Sequence, residues 1–344
     1  MTRRSPSLAA AERFLDLPWP VLAVRLEASS RCQLKCPVCP TGRGETHQGV
    51  VGSGVLGFED FKGFIERHPR IRFVELSNWG EIFLNPEIDR IIALAAQKRI
   101  RLYARNGVNL NTVSDSTIEQ LVRSGFRQLT VSIDGATPET YGQYRINGDF
   151  DQVIRNVSAI RECKQRLRSP FPRLLWQFIP MAHNQHEIDA ARRMASRLGM
   201  SFQLKLNFVP SHAAVTDPGL VRDRTLLRVS SRAEFREQYG IPYFVPCYHL
   251  WFSPAINWDG TLLGCCENRW QGLGRVFESG LDACLRSDRY REVKRVVLGL
   301  EPAARHHPCS SCGFFHRHLG KTPLSTRALL SRPLVEILKA VLSS

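Results

Sequence analysis

From Val21 onward, short apolar runs alternate with amphipathic stretches. VLAVRLEA (21–28), IRFVELS (71–77), IRLYAR (100–105), RQLTVSID (127–134), RLLWQFIP (173–180) and SFQLKLNF (201–208) have the length and β-branched content of buried strands. Between them, FEDFKGFIERH (58–68), PEIDRIIALAAQK (86–98), SDSTIEQLVRSG (114–125), FDQVIRNVSAIRECKQRL (150–167) and HEIDAARRMASRLG (186–199) carry apolar residues at helical spacing. Strands separated by helices imply parallel βα units. Six such units predict an α/β chain built on a partial (β/α)6 barrel.

The alternation stops near Pro210, and a polar link follows. FSPAINWDGTLLGCC (252–266) then reads as two strands around Asp259-Gly260, a hairpin signal. A helix over roughly 281–298, a Cys pair and an amphipathic LSTRALLSRPLVEILKAVL complete the pattern. The predicted organisation is an extension (1–20), the barrel (21–208), a linker and capping segment (209–245), a small hairpin/helix module (246–320) and an amphipathic segment (321–344).

An apolar fraction of 43% over 344 residues suffices for a large core. No apolar run approaches the roughly 18–20 residues of a membrane span. The opening MTRRSPSLAAAERFLDLPW meets Glu12 and Asp16 before any apolar region develops, so we expect no export signal and a cytoplasmic protein. The net charge of +15 draws polyanions, and residues 286–344, with 11 Lys/Arg against 4 Asp/Glu, hold +7 of it. A solvated basic surface accounts for that. No run of five basic residues and no aromatic-interleaved basic motif calls for nucleic acid.

Ten cysteines without an export signal favour metal or cluster ligation over disulfides. Cys32, Cys36 and Cys39 follow the first strand in the spacing C-x3-C-x2-C, in a loop at the end of a barrel strand where function gathers. Three thiolates can hold three irons of a [4Fe–4S] cubane and leave the fourth open, whereas structural zinc wants a fourth protein ligand.

These residues resemble the radical S-adenosylmethionine (radical SAM) superfamily. SNWGEIFLNPEI (77–88) is similar to its Gly-Gly-Glu stretch, with Gly80 and Glu81 in place and Trp79 instead of the first Gly. ARNGVNLN (104–111) looks like its Thr-Asn-Gly, with Asn106 in place, and VSIDG (131–135) supplies Ser132 and Asp134, followed by Arg145. The resemblance implies a [4Fe–4S] cluster on Cys32, Cys36 and Cys39 that binds S-adenosylmethionine. It further implies Glu81 at the ammonium of that molecule, Ser132 and Arg145 at its carboxylate and ribose, and Val38 against adenine.

Cys247, Cys265, Cys309 and Cys312, with Gly260-x4-Cys265 among them, are similar to the SPASM/Twitch modules of this superfamily. No cysteine follows Cys312, so the shorter, Twitch-like form with one auxiliary [4Fe–4S] cluster is expected; zinc is the alternative on the cysteines alone. Cys266 and Glu267 follow the expected ligand Cys265 and are candidates to exchange a proton or hydrogen atom with substrate. Cys163 and Cys284 read as buried apolar residues. The resemblance implies a radical SAM oxidoreductase acting on a sugar- or cyclitol-like alcohol or on a peptide, with a reductant such as flavodoxin or ferredoxin. Redox-neutral epimerisation or cross-linking is the alternative outcome, and an iron–sulfur electron carrier or a zinc-bearing nucleic-acid-binding protein the alternative class.

Overall fold

The computed structural model describes Leu15, residues 21–209 and residues 211–319; the extension over 1–20, apart from Leu15, and the amphipathic segment over 321–344 lie outside the described residues. β1 (Ala23–Leu26), β2 (Phe73–Glu75), β3 (Arg101–Val108), β4 (Gln128–Ser132), β5 (Arg173–Phe178) and β6 (Ser201–Leu204) pair in sequence order, all parallel. Between them run α1 (Phe58–Arg67), α2 (Ile88–Gln97), α3 (Asp115–Arg123), α4 (Pro138–Tyr144), α5 (Phe150–Arg166) and α6 (Ile188–Arg197). Val24 and Leu26 of β1 join Phe61 and Phe64 of α1 in one buried core. The intervening Arg25 instead reaches Ser77 and Asn78 beyond β2. This alternation gives the barrel an apolar coat under its helices and a polar lumen.

Beyond the barrel come α7 (Pro218–Arg224), α8 (Arg232–Tyr239), the short turn α9 (His249–Phe252), β7 (Ala255–Ile256), β8 (Leu262–Gly264), α10 (Val276–Ser279), α11 (Leu281–Arg286) and α12 (Asp288–Val297). The hairpin forms where Asp259-Gly260 marks it. It is also part of the barrel: β7 pairs parallel to β1, Arg25 opposite Ala255, so one eight-stranded sheet runs β6-β5-β4-β3-β2-β1-β7-β8.

Three expectations are refined. The polar link contains α7 and α8, each capped by an acceptor side chain, Asp217 and Ser231. The helix expected over 281–298 is split at Ser287, whose hydroxyl caps α12. The strand expected over 201–208 ends at Leu204. No helix among the described residues is long and apolar enough to cross a membrane.

Candidate functional site

The loop after β1 carries Cys32, Cys36 and Cys39. The backbone N–H of Cys39 donates to Cys36 O at 3.1 Å, and Lys35 N–H donates to Ile146 O at 3.0 Å, which holds the loop against the segment after α4. Leu34, Cys36, Tyr144, Ile179 and Met181 form a separate buried apolar nest, with Val38, Cys32 and Cys39 packed on it. Arg145 Nη1 stands 3.8 Å from Cys36 Sγ, and Asn109 Nδ2 stands 3.9 Å from Cys32 Sγ. Burial, Glu81 and the two neighbouring thiols push the Cys32 thiol up to about 12. Three crowded thiols facing a guanidinium and an amide suit a bound cationic centre that takes them as thiolates. The set fits a cluster with one iron left free.

Glu81 is 2% exposed, and its carboxylate accepts from Asn109 N–H at 2.6 Å and Phe83 N–H at 3.3 Å. Burial raises its pKa to about 7. Gly80 has no room for a side chain, since a Cβ there would stand 2.3 Å from Ser29 O and 2.5 Å from Arg31 O. Gly107, at φ +125, is likewise required: a Cβ would meet Ser132 Oγ at 2.4 Å. The Ser132 hydroxyl accepts from Gln177 Nε2 at 3.3 Å, and the exposed Asn106 donates from Nδ2 to Asn78 O at 2.9 Å.

Asp134 and Arg145 form a buried ion pair. Asp134 is 0% exposed; one oxygen takes Arg145 Nε at 2.7 Å and the other takes Ile179 N–H at 2.7 Å. Held at both oxygens, Asp134 fixes the position of Arg145. The Arg145 guanidinium is thereby turned to Cys36.

Two residues that sequence reasoning missed complete this region. Asn109 bonds Gln33, Asn111 and Glu81 in addition to its place beside Cys32. Glu27, 3% exposed, accepts from Trp79 N–H at 2.9 Å and Gly80 N–H at 3.2 Å. Burial raises its pKa to about 7. Glu27 sits in no motif and Asn109 follows the Asn-Gly pair of its stretch by two residues; apart from Asn111, their partners lie dozens of positions away. Trp79 packs with Val51, Ala255 and Leu263, so the residue replacing the motif's first Gly wedges the barrel loop against the hairpin.

The second set gathers from three places. Cys247 sits in a buried turn, Cys265 just after β8, and Cys309 and Cys312 in one turn, where Cys312 N–H donates to Cys309 O at 3.2 Å. Burial, then the proximity of Cys265, Cys309 and Cys312, pushes the Cys247 thiol far up. Backbone N–H groups of Glu267 and Asn268 point at the Cys265 sulfur, and those of Phe314 and Phe315 at Cys312. Sulfurs held by backbone donors are the environment a cluster thiolate needs. The four-thiol set fits a cluster held entirely by the chain.

Cys266 borders both regions: its carbonyl accepts from Asn78 Nδ2 at 3.3 Å, Arg25, Glu267 and Cys265 surround its thiol, and Cys247 also feels it. Glu267 lies among Arg269, Arg232, Arg317 and Lys205, and its pKa is raised chiefly by burial. The loop leaving β8 thus touches both sets: Cys265 joins the second, while Arg269 Nη2 pairs with Glu45, beyond the first, at 3.3 Å. Cys163 and Cys284 are buried within the main core.

Family profiles described as the Radical SAM superfamily and as an iron–sulfur cluster-binding domain (SPASM) match residues 26–189 and 247–313. The AdoMet-dependent heme synthase of Methanosarcina barkeri is 28% identical over 139 residues, covering 40% of this chain and 38% of that protein. The mycofactocin maturase MftC of Mycobacterium tuberculosis is 22% identical over 196 residues, 56% of this chain and 46% of that one. The chain thus spans less than half the length of these curated relatives. Streptococcus suis SuiB bound to S-adenosylmethionine shares the fold with a TM-score of 0.60 at 16% identity, over 89% of this chain and 74% of that chain.

Proposed function

The chain is a radical SAM protein carrying a C-terminal SPASM domain, and from that premise we propose that it removes hydrogen from a C–H bond of a small molecule or peptide in a net two-electron oxidation. Cys32, Cys36 and Cys39 would hold the [4Fe–4S] cluster that binds S-adenosylmethionine, and Cys247, Cys265, Cys309 and Cys312 the auxiliary cluster. Together these groups supply a 5′-deoxyadenosyl radical and an electron acceptor.

The chain's own residues have defined tasks in this reading. Glu81 is the counter-charge for the ammonium of S-adenosylmethionine, and Ser132 and Arg145 donate to its carboxylate and ribose. Gly80 and Asn106 shape the backbone beside it. Val38 with Leu34, Ile179 and Met181 keeps water from the adenine side. A substrate carbon that loses a hydrogen atom and then an electron must also release a proton, which Glu267 would take. The observation that supports the reading is the loop leaving β8, where Cys265 lies beside Cys247 and Cys312 while the adjoining Cys266 and Glu267 lie near Arg25, Lys205 and Arg232 of the barrel side. An outside reductant such as flavodoxin or ferredoxin is required, which suits a cytoplasmic setting.

The Cys266 thiol favours a second outcome, return of a hydrogen atom to substrate, as in a redox-neutral epimerisation or cross-link. A peptide substrate gains support from the maturase relative and from SuiB, which is also known bound to its precursor peptide SuiA. The test is anaerobic turnover with reductant and S-adenosylmethionine: 5′-deoxyadenosine should form slowly without substrate, and a Cys32→Ala chain should form none. Equal formation by that variant would overturn the reading.

A further inference from the structure

At the β6 side of the lumen stand two cations, Lys205 and Arg232, that make no ion pair among the described residues. Lys205 immediately follows β6, and its backbone N–H is fixed to Phe178 O at 2.9 Å. Among the described residues its ammonium makes no hydrogen bond or ion pair, although it is set among Arg232, Asp134, Arg145 and Cys266. Arg232 uses one of its five N–H groups, Nε to Leu206 O at 3.1 Å, and lies over the rings of Tyr243 and Phe208 at 5.2 and 5.9 Å. It too makes no ion pair among the described residues.

Arg232 is fixed to the carbonyl of Leu206, the neighbour of Lys205, and its charge acts on the partly buried Lys205 ammonium, so two like charges share one corner and repel. Arg232 is moreover the first residue of α8, where the helix dipole disfavours a cation. Glu267 lies within reach of both but touches neither, and Arg317 adds a further positive charge beside it. Arg269 is already committed to Glu45. One carboxylate among three uncommitted cations leaves the corner positive.

We propose that Lys205 and Arg232 form an anion-binding subsite at the barrel mouth that takes a carboxylate or phosphate carried by the substrate. This rests on the reading of the lumen as the substrate chamber. The subsite would hold the anion while Phe208 and Tyr243 flank it, leaving Cys266 and Glu267 free toward the reacting carbon. Burial and Arg232 lower the Lys205 pKa to about 8, in keeping with an ammonium that lacks its anion.

The experiment is calorimetric binding of succinate and of inorganic phosphate to the reconstituted full chain. Saturable, salt-sensitive binding of at least one is expected, and the tighter of the two identifies the anion chemistry. Lys205→Met and Arg232→Gln should each weaken it about 10- to 100-fold, the value of a charge-assisted hydrogen bond. Lys205→Arg should retain it within about threefold, which separates charge from folding; Arg70→Gln, at an exposed site, should bind like the parent. Absence of binding, or equal binding in Lys205→Met and Arg232→Gln, overturns the subsite. Substrate-free 5′-deoxyadenosine formation is measured on the same parent preparation. Its absence would sink the functional reading, whereas its presence with no anion binding would sink the subsite alone.

Discussion

The two cysteine sets have different surroundings. Around Cys32, Cys36 and Cys39 stand a guanidinium, a primary amide and a buried carboxylate, each anchored by further hydrogen bonds. Cys247, Cys265, Cys309 and Cys312 pack instead with apolar side chains of the main core, and backbone N–H groups stand at the sulfurs of Cys265 and Cys312. Polar side chains beside an incomplete donor set can recognise a molecule that completes it. A complete set lined by backbone can hold a group but has nothing with which to choose a ligand. The contrast is one of recognition against retention.

The strongest way to break the contrast is to delete thiols. Replacing Cys32, Cys36 and Cys39 together with Ala should abolish 5′-deoxyadenosine formation and lower iron from about eight to about four per chain. Cys265→Ala should also leave about four irons but keep the first cluster, while Cys266→Ala should keep about eight. Iron lost from Cys266→Ala and retained in Cys265→Ala would show that the assignment has the wrong neighbour. One zinc per chain would remove the auxiliary cluster from the picture.

Next in size is the pair behind the first set. Asp134→Ala strands the buried Arg145 cation and should cost about 3–5 kcal/mol in denaturant unfolding. A loss under about 1 kcal/mol would mean that Arg145 finds another partner. Glu81→Ala should weaken S-adenosylmethionine binding on the order of 10–100-fold. It also removes the acceptor of Asn109 N–H, so a parallel stability loss of about 1–3 kcal/mol is expected. Unchanged affinity would deny the carboxylate its role as counter-charge.

The last effect is in pH. The Glu27 carboxyl is raised to about 7 in the folded chain, so the folded state binds the proton more tightly than the unfolded one. Its contribution to stability is full below the unfolded value near 4.5 and is lost as pH rises through about 7. Glu27→Gln should flatten the slope of unfolding free energy between those limits by up to about 3 kcal/mol. An unaltered slope would assign the pH response elsewhere, with Glu81 the first alternative.

Much of this was legible in the sequence wherever the cause is local. Apolar period and capping residues marked the six barrel strands and the helices between most of them, and Asp259-Gly260 marked the hairpin. The spacing of three cysteines located the loop that Asn109 and Arg145 surround. Short polar helices such as α4, α7 and α8 escaped because each buries few residues and is held by tertiary contacts. The pairing of Arg25 with Ala255 escaped because parallel strands some 230 positions apart leave no turn signal between them. Asn109 and Glu27 escaped for the same reason, since the partners that matter are distant: Gln33 and Glu81 for Asn109, the backbone N–H groups of Trp79 and Gly80 for Glu27.

The parallel pairing of β7 on β1 also bears on how the chain can be divided. A barrel fragment ending near residue 245 would expose the outer hydrogen-bonding row of β1, between the buried side chains Val24 and Leu26. An open, apolar sheet edge is a template for pairing with another copy, and natural proteins keep such edges covered. The hairpin serves as that cover. Expressed without it, the barrel is expected to self-associate through β1, so its solubility depends on the module that follows it.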